Sequence, residues 1–275
     1  MFRGSYNFFD YKYNIAGYSG QDFGGPAQWL YLAISAVIMI LLLYFLRKSS
    51  KEKVLKIIRG ISIFLVLLYL GKTTWETIYD IKFTGAFNTG LLPLDTCSIV
   101  MLAGILAGFA KGKIQKISEC WLATGSVVGG IATMVVLNAF KYYPFFSFGA
   151  FYSMIWHFLM VFIGLLLIVT NYVDMKYSTV INGFILQLVF SLFVIPIDFI
   201  FNWDFMMVLN LGGIPVFEDV ATKLTNANMQ FLNPILMLAL YFAAFNIVFL
   251  IPLGIKKIIQ INFKNKEVLW KRELL

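Results

Sequence analysis

Residues 27–46 read AQWLYLAISAVIMILLLYFL, twenty residues without a charge, and the two that follow are Arg47 and Lys48. A run of about 20 apolar residues is what an α-helix needs to cross a bilayer's hydrocarbon core. Backbone in that medium must satisfy its own hydrogen bonds, which leaves helices or a closed barrel. Barrel strands alternate in character over segments of about ten residues, and residues 27–46 do not alternate. The rest of the chain has the same character: of 275 residues 60% are hydrophobic and 13% charged, and the mean hydropathy is +0.81. Those values exclude a soluble domain. The fold class predicted is all-α, a polytopic membrane helix bundle.

Seven spans are predicted: Ala27 to Leu46, Val54 to Thr74, Leu92 to Ala110, Cys120 to Leu137, Ala150 to Thr170, Ser178 to Phe201 and Phe231 to Gly254. They divide the 22 basic residues into two sets. Arg47 to Arg59, Lys111 to Lys116, Lys176 and Lys256 to Arg272 supply sixteen; Arg3, Lys12, Lys72, Lys82, Lys141 and Lys223 supply six. By the positive-inside bias the larger set is cytoplasmic, so the N-terminus is outside and the C-terminus inside. The chain then divides into an interfacial arm (1–26), the transmembrane domain (27–254) and a basic cytoplasmic tail (255–275). The net charge of +8 reflects topology and anionic headgroups at the cytoplasmic face, and nucleic acid is not an expected partner. The arm is aromatic and lacks a secretory signal's short apolar core and cleavage site.

Residue counting at ~1.5 Å per residue places Cys97 roughly 8 Å below the outer end of the third span and His157 roughly 10 Å below that of the fifth. His157 is the only histidine and Cys97 one of two cysteines. Asp95 and Asp198 fall at the same level. Ionisable groups at such depth usually face the bundle interior or a wet cavity, where they mark functional sites. A Cys beside a His is the minimal nucleophile and base: imidazole takes the thiol proton, the thiolate attacks an acyl carbonyl, and a third group, here Asp198 or Asp95, orients the ring. Each residue also has a plainer reading. Cys97 fits as a small packing residue, His157 as a bond to a neighbouring helix, Asp95 as a helix cap, and Asp198 as a partner for backbone freed by Pro196. Pro93 suits a first helical turn and is expected to start the third span. Glu76 and Asp80 read as a solvated rim, and Tyr142 to Phe148 as an interfacial aromatic belt. Gly125 to Gly130, within a span, reads as close helix packing. Cys97 and Cys120 lie at opposite ends of their spans, too far apart for the ~6 Å Cα separation of a disulfide. With one His and two Cys no structural metal site and no cofactor is expected.

Leu92-Pro93-Leu94-Asp95-Thr96-Cys97-Ser98 resembles the Leu-Pro-Leu-His-Leu-Cys-Ser segment of the bacterial YwaF-like integral membrane proteins. Phe23 to Gln28, Tyr143-Pro144-Phe145 leading to His157, and Asn202 to Met206 are similar to further pieces of that family in the same order. Asp95 and Gln28 stand where the family has histidines. The resemblance implies a plasma-membrane protein of bacteria. Its eukaryotic relatives are phospholipid acyltransferases with a membrane Cys and His, and the wider androgen-induced hydrolases use Thr and His on lipid esters. Carried over, it implies Cys97 as nucleophile paired with His157.

The function expected is lipid acyl transfer or lipid-ester hydrolysis near the outer leaflet, with a membrane phospholipid or other lipid ester as partner. A proton-coupled carrier built on Asp95, His157 and Asp198 is the second reading, and a non-catalytic scaffold presenting the Asn202 to Gln230 loop is the third.

Overall fold

The computed structural model describes residues 6–12, 15, 25–136, 143–206, 209 and 218–250. Eight helices run through them: α1 (Pro26–Leu46), α2 (Lys51–Thr84), α3 (Ile99–Phe109), α4 (Gly112–Val136), α5 (Phe148–Val169), α6 (Tyr177–Phe201), α7 (Glu218–Asn226) and α8 (Asn233–Leu250). Among the described residues six helical segments are long and apolar enough to cross a membrane, α3 being counted with the turns before it. The 25-residue α4 is the seventh long helix. It carries Lys113, Lys116 and Glu119 in its first turns. The expected all-α membrane bundle is what the chain forms. The basic tail, the end of the last predicted span and most of residues 13–24 and 207–217 lie outside the described residues.

The core is the set of faces that meet α4, which packs against α3, α5 and α6. Trp121, Leu122 and Ala123 of α4 are fully buried, as are Met160, Ile163, Leu166 and Leu167 of α5. With lipid outside as apolar as leucine, helices in a bilayer associate through close packing, which small residues permit. A Cβ on Gly125 would stand 2.6 Å from Phe245 of α8, and one on Gly130 would stand 2.6 Å from Val161 of α5. A Cβ on Gly183 of α6 would stand 2.9 Å from the Cys120 carbonyl. The glycines of 125–130 thus serve packing. α1 is peripheral: Gln28, Tyr31, Ser35 and Met39 face the bundle, while Trp29, Ile34, Ile40 and Phe45 face outward.

α2 runs ten residues past the expected Thr74. Ser50 caps its start, its hydroxyl accepting from Lys53 N–H at 3.3 Å, and Gly85, at φ 73°, ends it in the left-handed conformation that a Cβ disfavours. The added turns carry Glu76, Asp80 and Lys82, so hydropathy falls away there while helicity does not. The N-terminal arm covers them. The Tyr11 hydroxyl donates to Asp80 Oδ1 at 2.7 Å, and Trp75 Nε1–H donates to the Phe9 carbonyl at 3.0 Å. Glu76 and Asp80 are 8% and 2% exposed, so they are not the expected solvated rim. Glu76 pairs with Lys72 one turn away. Of the expected aromatic belt, Phe146 is exposed, but Tyr143 is buried with its ring 6.2 Å from that of Tyr11.

Pro93 does not start a helix. The chain makes a 3₁₀ turn at Thr89–Leu91, passes through Pro93 in an irregular link, makes a second at Thr96–Ser98 and enters α3 only at Ile99. Proline has no N–H to lend and fixes its φ, which suits this link as well as a first helical turn.

Candidate functional site: Cys97 and the His157 turn against α4

The α2–α3 contacts set the level of Cys97. Arg59 Nε–H donates to the Gly108 carbonyl at 2.7 Å, Gly104 packs on Ser62, and the Tyr69 hydroxyl donates to the Leu91 carbonyl. Cys97 falls between the last two contacts, level with the Leu65 to Tyr69 part of α2. The Tyr69 ring also lies 6.2 Å from that of Trp156, the neighbour of His157, tilted at 51° to it. Cys97 and His157 therefore share a level, as residue counting predicts.

They also share a neighbour. Cys97 Sγ lies 3.6 Å from Thr133 Oγ1 on α4. One turn back on the same helix, a Cβ on Gly130 would stand 3.1 Å from the His157 carbonyl oxygen. The absence of a side chain at Gly130 lets α5 press its His157 turn against the turn of α4 that meets the thiol.

The hydrogen bonds fix the protons. Thr133 Oγ1–H donates to the Gly129 carbonyl at 2.9 Å, so toward Cys97 the hydroxyl is an acceptor and the thiol is the donor. His157 Nδ1 lies 2.7 Å from the Ser153 carbonyl oxygen, with Ser153 Oγ at 3.4 Å. A carbonyl only accepts, so Nδ1 carries the ring proton and Nε2 presents a lone pair. Among the described residues nothing hydrogen-bonds Nε2. His157 is 8% exposed and Cys97 half-buried, in a mostly apolar setting.

Neither carboxylate hydrogen-bonds His157. Asp95 is exposed just before the second 3₁₀ turn, and its side chain makes no capping bond. Asp198 is fully buried on α6, where Oδ1 accepts the Phe205 N–H at 3.2 Å and fastens the chain leaving the helix. The group that orients His157 is a backbone carbonyl of its own helix. Gln28 lies buried on α1, its amide donating to the Val135 carbonyl of α4. Cys97 and Cys120 are free thiols. Among the described residues no three His, Cys, Asp or Glu side chains gather to hold a metal. Thr133 and Ser153 are contributors that the sequence did not flag. Their one signal is spacing, Thr133 lying three residues after Gly130 and Ser153 four before His157.

Comparison with known families bears on what this arrangement belongs to. The family model that matches the chain, over residues 23–255, is that of the TMEM164 family. The chain belongs to the TMEM164 family. That corrects the YwaF-like resemblance, which rested on short segments around Leu92 to Ser98, Phe23 to Gln28 and Asn202 to Met206, each too brief to separate one membrane family from another. The roles which that resemblance implied for Cys97 and His157 go with it. What supports the pair in this TMEM164-family chain is its geometry. Neither curated proteins nor solved structures give a match.

Proposed function

We propose that this chain transfers or hydrolyses lipid acyl esters through Cys97 and His157, near the outer leaflet of a cell membrane. The observation that carries the proposal is that the thiol of Cys97 meets Thr133 and the main chain of His157, the only histidine, meets Gly130, one turn apart on α4. Nε2, whose lone pair is open, takes the Sγ proton. The thiolate attacks the ester carbonyl, a C–S bond forms, the ester C–O bond breaks, and the leaving alkoxide takes the proton from the imidazolium. A second hydroxyl, from water or another lipid, then attacks the thioester and gives its proton to Nε2. The C–S bond breaks and the thiol is restored.

One further feature bears on this reading. An apolar groove of about 160 Å³ lies between α1, α4 and α5, lined among others by Ala36, Met39, Ile131, Met134 and Val161. Of its lining, Met134 follows Thr133 in the sequence of α4 and Val161 lies one turn after His157 on α5. Sidedness comes from the division of basic residues.

The test is to incubate the protein in liposomes with a lipid ester and look for a hydroxylamine-sensitive acyl group on Cys97. Cys97→Ala and His157→Gln should abolish turnover while Cys120→Ala retains it. Full turnover in Cys97→Ala ends the proposal.

A further inference from the structure

We propose that Tyr241 is a positioning residue for Cys97, its hydroxyl fixing the turn that aims the thiol. The geometry stands by itself; the consequence for turnover rests on the acyl-transfer reading.

The turn Thr96–Ser98 begins without ordinary help. Neither Asp95 nor Ser98 makes a side-chain capping bond, and the turn's own closure is Ser98 N–H to the Asp95 carbonyl at 2.9 Å. Uncapped helix starts fray, and this one carries the thiol. The missing constraint comes from across the bundle. Thr96 Oγ1 lies 2.6 Å from the Tyr241 hydroxyl oxygen of α8, and that hydroxyl lies 3.1 Å from the Met206 carbonyl.

The carbonyl can only accept, so Tyr241 spends its one proton on Met206, and Thr96 must donate to the Tyr241 oxygen. The next residue back in that chain segment, Phe205, gives its N–H to the buried Asp198 carboxylate at 3.2 Å. A polar truss thus runs from α6 through residues 205–206 and Tyr241 to Thr96. Successive residues of a 3₁₀ turn are about 120° apart, so any rotation at Thr96 swings Cys97 with it. This gives fully buried Asp198 an action on the thiol through backbone, Tyr241 and Thr96.

The experiment uses the full chain in nanodiscs with Cys120→Ser as background, and compares Tyr241→Phe, Thr96→Val, both together, and Thr96→Ser. Two quantities are read: kcat and KM for lipid-ester turnover, and the rate at which Cys97 reacts with a small alkylating reagent as pH is raised. Displacing a reacting group by about 1 Å costs up to ~10²-fold in rate, so kcat should fall about tenfold or more in Tyr241→Phe and in Thr96→Val with KM little changed. The double variant should be no worse than either, because both cut one truss. Thr96→Ser, which keeps the hydroxyl, should retain the rate, and the alkylation profile should move in the first two variants and not in the third. An unmoved alkylation profile in a folded Tyr241→Phe protein, or single losses that multiply in the double variant, overturns the proposal. If the parent shows no lipid turnover but Tyr241→Phe still shifts the alkylation profile, the acyl-transfer reading fails and the positioning role stands.

Discussion

At the scale of single residues, His157 is set by a bond that sequence does not display. Its Nδ1 proton goes to the Ser153 carbonyl, so the orienting group is main chain and the side chain at 153 is secondary. This separates two substitutions four residues apart. His157→Gln removes the base and should lower lipid-ester turnover by about 10²–10⁴-fold, the usual contribution of a general base. Ser153→Ala keeps the carbonyl and should change the rate by no more than about twofold. Initial rates, with circular dichroism melts to confirm folding, check both, and a large loss in Ser153→Ala would mean that the hydroxyl does the orienting. The levels of Cys97 and His157 were legible because rise per residue is fixed once the spans are placed. The partners were not. A threonine or serine in a membrane helix most often back-bonds its own helix, as Thr133 does to Gly129, and nothing in its identity announces that a thiol has come alongside.

At the scale of elements, hydropathy found the seven long helices, left α7 inside the Asn202 to Gln230 loop, and misjudged ends that polar groups decide. α2 continues to Thr84 because the arm's Tyr11 and Phe9 meet Asp80 and Trp75, a contact across 69 positions that no local window registers. Burial, and after it the bond to Asp80, holds the Tyr11 hydroxyl well above the usual phenol range, so it remains a donor at every pH the protein meets. Tyr11→Phe leaves the buried Asp80 without that donor and should destabilise the protein by about 2 kcal/mol, the loss typical of a hydrogen bond to a charged group. Thermal melts read it, and an unchanged midpoint would mean that the arm does not hold the end of α2. Helix contact yields a second comparison. A Cβ at Gly130 meets Val161 and the His157 carbonyl; one at Gly125 meets Phe245 and Trp121, away from the pair. Gly130→Ala and Gly125→Ala should each cost about 1–3 kcal/mol by overpacking, but only Gly130→Ala should reduce turnover in the protein that remains folded. Equal activity losses in the two would detach catalysis from the α4–α5 crossing.

At the scale of the whole molecule, composition and run length were enough for an all-helical membrane bundle, because a bilayer admits so few backbone solutions. The family was not legible from short motifs, since Leu-Pro-Leu followed by Cys-Ser is too brief a pattern to separate one membrane family from another. What the bundle leaves to be measured is which leaflet its thiol faces, and the two ends of the molecule differ enough for a direct answer. Phe146, 74% exposed, precedes α5 at the end of the bundle where Tyr11 meets Asp80; Glu52, also exposed, opens α2 at the basic end. The basic residues, sixteen against six, place the Glu52 end in the cytoplasm. With Cys97 and Cys120 replaced by Ser, Phe146→Cys should react with a membrane-impermeant maleimide added to intact cells, and Glu52→Cys should react only after permeabilisation. The reverse pattern would move Cys97 and His157 to the cytoplasmic leaflet. It would leave their contacts with α4 intact and change the lipids within their reach.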